Sequence, residues 1–164
     1  MSVFKITFKD YSEWLNRELE NKNLEESEIF WMNKFKGEIT DISLPISNKK
    51  RPLQKTFNGN SLEVTFNNEL YLKLIAYSKQ KEVTLFSILM AVINAILYRY
   101  SSQKDLILGI PISGRNNSET RDIIGLLINS LPIYTTINDD ETFESLLFKE
   151  NKILNDAYSN QLYP

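Results

Sequence analysis

The sequence contains no His and no Cys. Within these residues that excludes Ser-His-Asp and Cys-His nucleophilic catalysis. It also excludes thiolate chemistry, disulfides and ordinary zinc coordination. Any catalyst made of this chain alone has only Asp, Glu, Lys, Tyr, Ser and Thr to work with. The run Asp139-Asp140-Glu141 has the residue types of a metal site, but it precedes a helical segment, where free N–H groups and the helix dipole attract carboxylates. Calcium would require a spaced set of oxygen ligands that is absent, so we expect no metal. Gly109, Gly114 and Gly125 lack the spacing of a dinucleotide or phosphate loop. Lys49, Lys50 and Arg51 read as a solvated loop, since a phosphate-binding patch requires a wider basic face. The aromatics Tyr11, Trp14, Phe30, Trp31 and Phe35 recur at helical spacing and read as core or interface rather than as a base-stacking platform.

The elements that must position these residues follow from periodicity. Residues 8–20 carry Phe8, Tyr11, Trp14, Leu15 and Leu19 at helical spacing. A second helix is expected over about 24–36, with Ile29, Phe30, Met32 and Phe35 inward or partly so and Gly37 as a left-handed stop. Residues 38–60 read as an extended connection in which Pro45 and Pro52 block helix. Residues 61–66 alternate Leu62, Val64 and Phe66 against Glu63 and Thr65, the pattern of a strand with one wet face. Asn67 or Asn68 can cap a helix striped by Leu70, Leu74, Ile75 and Tyr77. Thr84 can cap a long helix over 85–101, apolar nearly all round and so placed at the centre of the core. Leu106, Ile107, Leu108 and Ile110 predict a strand buried on both faces. Residues 113–118 read as a loop, and residues 126–137 as a second strand in which Pro132 implies an edge, a bulge or an irregular stretch. A last helix is expected over 142–160, with Phe143, Leu146, Leu147, Leu154 and Ala157 inward. Strands and helices in this order make a mixed α/β architecture.

At 164 residues the chain has the size of one domain or one lobe of a larger one. Hydrophobic residues at 42% and charged residues at 24% are ordinary globular proportions and exclude wholesale disorder. A net charge of −2 argues against a nucleic-acid surface. Lys5, Lys9 and Asp10 break up the first ten residues, leaving no secretory h-region. The apolar run over residues 85–100 falls short of the ~18 residues that begin to suggest a membrane span, and Ser87 and Asn94 interrupt it. These features predict a cytoplasmic protein with no membrane or nucleic-acid partner.

Several short motifs, in one order, carry a resemblance. Phe8-Lys9-Asp10-Tyr11-Ser12-Glu13-Trp14 is similar to Tyr-x-Asp-Tyr-Ala-x-Trp. Phe30-Trp31, Leu44-Pro45 and Arg51-Pro52 look like a Trp-containing helix start followed by a Leu-Pro…Arg-Pro connection. Thr84-Leu85-Phe86, running on to Tyr98-Arg99-Tyr100-Ser101-Ser102-Gln103-Lys104-Asp105, matches a Thr-Leu-Phe helix that ends in His-Arg-Tyr-Ser-Gly-Gln-x-Asp. Gly109-Ile110-Pro111-Ile112-Ser113-Gly114-Arg115 is close to Gly-x-Pro-x-Ala-Gly-Arg. Ile124-Gly125-Leu126-Leu127-Ile128-Asn129-Ser130-Leu131 is close to Ile-Gly-x-Phe-Val-Asn-Thr-Leu. Asn160-Gln161-Leu162-Tyr163-Pro164 resembles the start of Asn/His-Gln-Asp-Tyr-Pro-Phe-Glu. Together these resemble the central-to-C-terminal part of the condensation domain of nonribosomal peptide synthetases.

The resemblance implies one lobe of a chloramphenicol-acetyltransferase-like fold: an incomplete mixed sheet with packed helices, residues 1–37 linking the lobes and residues 38–164 forming part of the C-terminal lobe. In that family two lobes form a V around a tunnel, and carrier proteins deliver phosphopantetheine-tethered acyl groups from its two mouths. An acceptor amine attacks the donor thioester beside a His-His-x-x-x-Asp-Gly motif. That motif has no counterpart here, so the resemblance implies a piece with no catalytic residue and no directly bound cofactor, whose partners are a His-bearing N-terminal lobe and carrier proteins. Arg115 is expected either to pair with the Asp of the missing motif or to be an exposed loop Arg. Asn129 and Ser130 are expected either to line the tunnel or, for Asn129, to satisfy buried backbone groups. Asp10, Tyr11, Trp14, Gln161 and Tyr163 are expected to be structural. An epimerisation domain, a stand-alone acyltransferase and a non-catalytic binding module are the alternatives. Uncovered apolar surface and strand edges predict a homodimer or larger assembly.

Overall fold

Thr7 opens the first helix. Its hydroxyl accepts the Asp10 N–H at 3.3 Å, and the Asp10 carboxylate accepts the Thr7 N–H at 2.9 Å and its hydroxyl at 2.6 Å. This reciprocal box satisfies donors that a first helical turn leaves unpaired. The computed structural model describes residues 6–39, 41–45, 54, 56–115 and 117–163. In order, its elements are α1 (Phe8–Glu20), α2 (Glu25–Lys34), α3 (Asn68–Gln80), α4 (Leu85–Ser101), β1 (Asp105–Ile112), a 3-10 turn at Ser118–Thr120, β2 (Asn129–Thr136) and α5 (Phe143–Ser159). Lys49, Lys50, Arg51, Pro52, Asn116 and Pro164 lie outside the described residues.

The caps follow the side-chain chemistry. Asn67 accepts the Leu70 N–H at 2.8 Å and Thr84 accepts the Ser87 N–H at 3.0 Å, starting α3 and α4. The Thr142 hydroxyl accepts the Ser145 N–H at 3.2 Å and starts α5. At the end of α4, Ser102 takes a left-handed conformation with φ 58° and donates its N–H to the Tyr98 carbonyl.

β1 and β2 are neighbours in a two-stranded sheet. The Ile137 N–H donates to the Lys104 carbonyl at 2.8 Å, and the Thr136 hydroxyl donates to the Asp105 carboxylate at 2.8 Å. The end of β2 therefore meets the start of β1, and the pair is antiparallel. Continuing that register sets Ile110 opposite Leu131, and both are buried. It also sets Pro111 and Pro132 at positions that donate nothing to the ladder, so their missing N–H groups cost no strand bond. Alternation is plain in β1: Asp105, Gly109 and Pro111 are exposed. The expected burial on both faces is corrected to one buried face.

The chain divides into two compact units. One comprises 1–41, 107–135 and 152–164; the other comprises 42–106 and 136–151. In the first, Ile110, Ile123, Leu127, Leu131, Ile133, Leu154 and Ala157 are buried. The Trp31 indole donates to the Asn160 carbonyl at 2.9 Å, and Phe35 stacks on Trp31 and tilts against Tyr134, with centroids 6.2 and 6.1 Å apart. In the second unit Val83, Ile88, Ala91, Leu106, Ile137, Leu146 and Leu147 form the core. Within it Asn94, fully buried, donates to Glu150 at 2.8 Å, and the Ser87 hydroxyl donates to Asn151 at 2.9 Å. The polar residues that interrupt the apolar run of α4 are thus its polar links to α5.

Four further expectations are corrected. Residues 61–66 form no strand; Leu62, Val64 and Phe66 are exposed, because alternation marks a face that suits a sheet and does not supply the sheet's other strand. α4 is buried on one face only, with Phe86, Val92, Ile93, Ile96 and Tyr100 exposed. α2 ends at Lys34 with Phe35, φ −114°, as its C-cap, and Gly37 lies beyond the cap without a left-handed φ, so it is not the stop. Ile29, Met32 and Phe143 point outward rather than inward.

Candidate functional site

Arg115 follows Gly114, the glycine whose φ of +65° makes the turn after β1. A Cβ there would lie 2.0 Å from the Leu127 carbonyl oxygen, so the close approach requires glycine. The turn aims the guanidinium back into its own loop. One terminal nitrogen donates to the carbonyls of Ile123 at 2.7 Å, Thr120 at 2.9 Å and Arg121 at 3.4 Å. The other donates to the Gly125 carbonyl at 3.3 Å. A planar fork of fixed donors can gather several carbonyls that an ammonium could not. Arg115 therefore shapes the connection between β1 and β2, a role that sequence reasoning did not assign it. The Thr120 hydroxyl, donating to the Asn117 carbonyl at 2.9 Å, completes the clamp.

The clamped loop has two sides. Toward the interior, Ile123 and Leu127 are buried, and Gly125 lies so close to Phe8 that a Cβ would meet its ring at 2.6 Å. Toward solvent, Ile124 is 96% exposed, Leu126 77% and Ile128 64%. This apolar strip runs straight into Asn129 and Ser130, both exposed at the start of β2. The Asn129 side-chain oxygen accepts the Ser130 N–H at 2.8 Å. Its exposure removes the reading of Asn129 as a buried group satisfying backbone.

Tyr11, Trp14 and Gln161 come together. With Gly114, Asn117 and Thr120 they border a cleft of about 210 Å³. Tyr11 and Trp14 sit 5.7 Å apart, tilted, and the Gln161 amide donates to the Tyr158 carbonyl at 2.6 Å. The Asp10 carboxyl is held below its ordinary range by the Thr7 hydroxyl and N–H. Burial, and then the Glu28 carboxylate, pushes the Tyr163 phenol up. Of these, Asp10 caps the start of α1 and Gln161 ties down the end of α5. Arg115 reaches this group through Thr120, whereas Asn129 and Ser130 are not among the residues that line the cleft.

In the second unit Asp139 and Glu141 of the acidic run are engaged in ion pairs. Asp139 accepts from Tyr98 at 2.6 Å and from Lys104 at 2.8 Å. The Lys104 ammonium and the Tyr98 hydroxyl hold its carboxyl below the usual range. Burial raises Glu141, but Lys149 at 2.6 Å, the Asn138 N–H and the Ser145 hydroxyl outweigh it and leave the group lowered. Among the described residues no cluster of three or more acidic side chains could hold a metal ion. No single described helix is long and apolar enough to cross a membrane.

The arrangement is a mixed α/β fold that offers amide, hydroxyl and guanidinium groups and an apolar strip, in a sequence with no imidazole or thiol. Residues 2–164 match the family model described as Condensation domain. The chain belongs to the condensation-domain family. It is 36% identical over 166 residues to bacitracin synthase 1 of Bacillus licheniformis, covering 100% of this chain and 3% of that protein. It is 31% identical over 159 residues to gramicidin S synthase 2 of Brevibacillus brevis, covering 97% of this chain and 4% of that protein. Among solved structures, the X-domain in its complex with OxyB from teicoplanin biosynthesis superposes with a TM-score of 0.88 at 19% identity, covering 100% of this chain and 37% of that one. The chain thus spans only 3% and 4% of the length of these two curated relatives.

Proposed function

We propose that these residues form part of the C-terminal lobe of a condensation domain that joins carrier-protein-tethered acyl groups through an amide bond. In this reading residues 1–37 link the lobes and residues 38–164 belong to the C-terminal lobe. The observation that carries it is the family match over residues 2–164. The exposed side chains of Leu126 and Ile128, continuous with Asn129 and Ser130, support the reading that this edge lines the substrate tunnel. Substrates arrive on phosphopantetheine arms in the cytoplasm. The acceptor amine attacks the thioester carbonyl and the C–S bond breaks, while the amine proton passes, through a group that this chain does not supply, to the departing sulfur, which leaves as a thiol. That group is an imidazole on a His-bearing partner lobe, so these 164 residues are inactive alone. Arg115, its loop bonds made through both terminal nitrogens, meets the Asp of the partner's motif with its remaining donor directions.

A non-catalytic binding module is the second reading, and the absence of every imidazole and thiol favours it. Reconstitution with a lobe carrying His-His-x-x-x-Asp-Gly separates the two. In the reconstituted enzyme Asn129→Ala lowers the rate of amide formation about tenfold or more while leaving lobe association unchanged. A rate insensitive to both Asn129→Ala and Ser130→Ala removes the tunnel assignment. Association of the lobes without turnover supports the binding module.

A further inference from the structure

Asn58 and Gly59 stand just before the 61–66 segment. Residues 56–66 form no helix or strand, and all of them are exposed in this chain. Among the described residues neither Asn58 nor Gly59 makes a hydrogen bond. The pair Asn-Gly occurs once in the sequence. Packing does not account for its glycine. Gly114 and Gly125 are required by a left-handed turn or a close neighbour, whereas Gly59 has no positive φ, and a Cβ added to it would meet nothing within 4 Å. What the missing side chain leaves open is local chemistry. The Gly59 nitrogen can reach the Asn58 side-chain carbonyl by closing a five-membered ring. Glycine opposes that closure least, because it has no Cβ and the widest backbone freedom.

Other Asn residues that precede a small residue are restrained by the fold. Asn60 and Asn129 each accept the N–H of the next residue on their own side-chain oxygen, from Ser61 at 2.9 Å and from Ser130 at 2.8 Å. The nitrogen that would have to attack thus turns its hydrogen, not its lone pair, toward that side chain. Asn129 also begins β2, and Asn94 is buried within α4. The Asn117 backbone is tied to Thr120 at both its N–H and its carbonyl. Asn58 has none of these restraints. We propose that Asn58 is a site of spontaneous modification, converted by attack of the Gly59 nitrogen to aspartate and isoaspartate. In the first step the Gly59 nitrogen gives up its proton and bonds to Asn58 Cγ. The Cγ–Nδ2 bond breaks, and the side-chain nitrogen leaves as ammonia with that proton. In the second step water adds to one of the two carbonyls of the cyclic imide, and the ring C–N bond at that carbonyl breaks. Opening at Cγ gives aspartate. Opening at the main-chain carbonyl gives isoaspartate, in which the chain runs through the former side chain. Water is the only co-reactant, and the reaction is internal to one dipeptide, so it requires no docking face. Each conversion adds one negative charge to a chain of net charge −2.

Peptide mapping by mass spectrometry of the full 164-residue chain, incubated at mildly acidic and at mildly alkaline pH, tests it. The peptide that contains Asn58 gains the mass difference between a hydroxyl and an amino group, and it resolves into two products of equal mass. Conversion is faster at the alkaline pH, because the attacking nitrogen must lose its proton. It precedes conversion at Asn60, Asn117 and Asn129. A synthetic peptide spanning residues 57–61 sets the unrestrained rate, and the chain converts within about tenfold of it. Gly59→Ala slows conversion in the chain about tenfold or more. Its circular dichroism matches that of the wild type, since nothing meets the added Cβ. Conversion more than about tenfold slower than in the peptide overturns the proposal. So does earlier conversion at Asn60, Asn117 or Asn129, a rate that does not rise with pH, or a Gly59→Ala chain that converts at the wild-type rate.

Discussion

The Arg115 guanidinium donates to the Ile123 carbonyl at 2.7 Å, and this bond closes the loop between β1 and β2 from the inside. The same nitrogen holds Thr120, and its twin reaches Gly125. Partly buried carbonyls gathered on one cation lose their partners together when it is removed. Arg115→Ala is expected to destabilise the chain by about 1–3 kcal/mol, the range for leaving buried acceptors unpaired. Arg115→Lys recovers only part of this, since an ammonium cannot reproduce the fork. Urea midpoints of the three proteins at a common slope measure both.

Gly114 and Gly125 make the same loop possible for different reasons. Gly114→Ala imposes a left-handed φ of +65° on a side chain and drives its Cβ to 2.0 Å from a backbone oxygen. It should cost about 2 kcal/mol or more. Gly125→Ala meets the Phe8 ring at 2.6 Å, a side chain rather than backbone. Its cost should therefore fall when Phe8 is shortened in the same chain. A double-mutant cycle with Phe8→Ala, which removes the two ring atoms at 2.6 Å and leaves the Phe8 Cβ at 2.8 Å, reads that coupling directly; additive effects would remove the steric account.

Ser102 offers a change of the opposite sign. It holds φ 58° at the end of α4, a conformation that disfavours any L side chain. Ser102→Gly relieves that strain at the expense of a more flexible unfolded chain. We expect a net gain of about 0.5–1 kcal/mol, or roughly 1–4 °C in Tm for a chain of this size. A fall in Tm would mean that the serine makes a stabilising contact.

Much of the architecture was readable because it is local. Asn67 and Thr84 announce their helices through side chains that bond backbone three residues on. Asp10, recognised first as part of a motif, has its physical reason in the capping box with Thr7. What was not readable depended on distant partners. Leu62, Val64 and Phe66 alternate like a strand, but no pattern within six residues states whether a second strand lies beside them. Arg115 was expected to pair with a carboxylate or to be an exposed loop Arg; the carbonyls it also holds are backbone and leave no mark in composition. Val92, Ile93 and Ile96 made α4 look central, since hydrophobicity reports what a side chain prefers and not what covers it.

The pH profile has two limbs that share one residue. Asp139 and Glu141 titrate below their ordinary values of 3.8 and 4.5. Groups lowered by folding contribute stability that is present above the unfolded value and lost as pH falls through the folded one. Stability therefore declines from about pH 4.5 downward. The bond to Asp139 raises Lys104 and Tyr98 above 10.5 and 10.0. Groups raised by folding contribute stability that is present below the unfolded value and lost as pH rises through the folded one. The alkaline limb accordingly begins near pH 10. Asp139→Asn removes the lowered carboxylate and also the charge that raises its two partners, so both limbs should flatten. Thermal melts from pH 3 to 11 check this, and a change confined to one limb would contradict the linked arrangement.

The most direct test of the proposed function uses defined donor and acceptor substrates on carrier proteins, with dipeptidyl-thioester formation followed by mass spectrometry. The 164-residue chain alone should form no product. Addition of a lobe carrying His-His-x-x-x-Asp-Gly should start amide formation, and replacing the second His of that lobe with Ala should stop it. Product formed by the chain alone, or no product from the associated pair, would contradict the account.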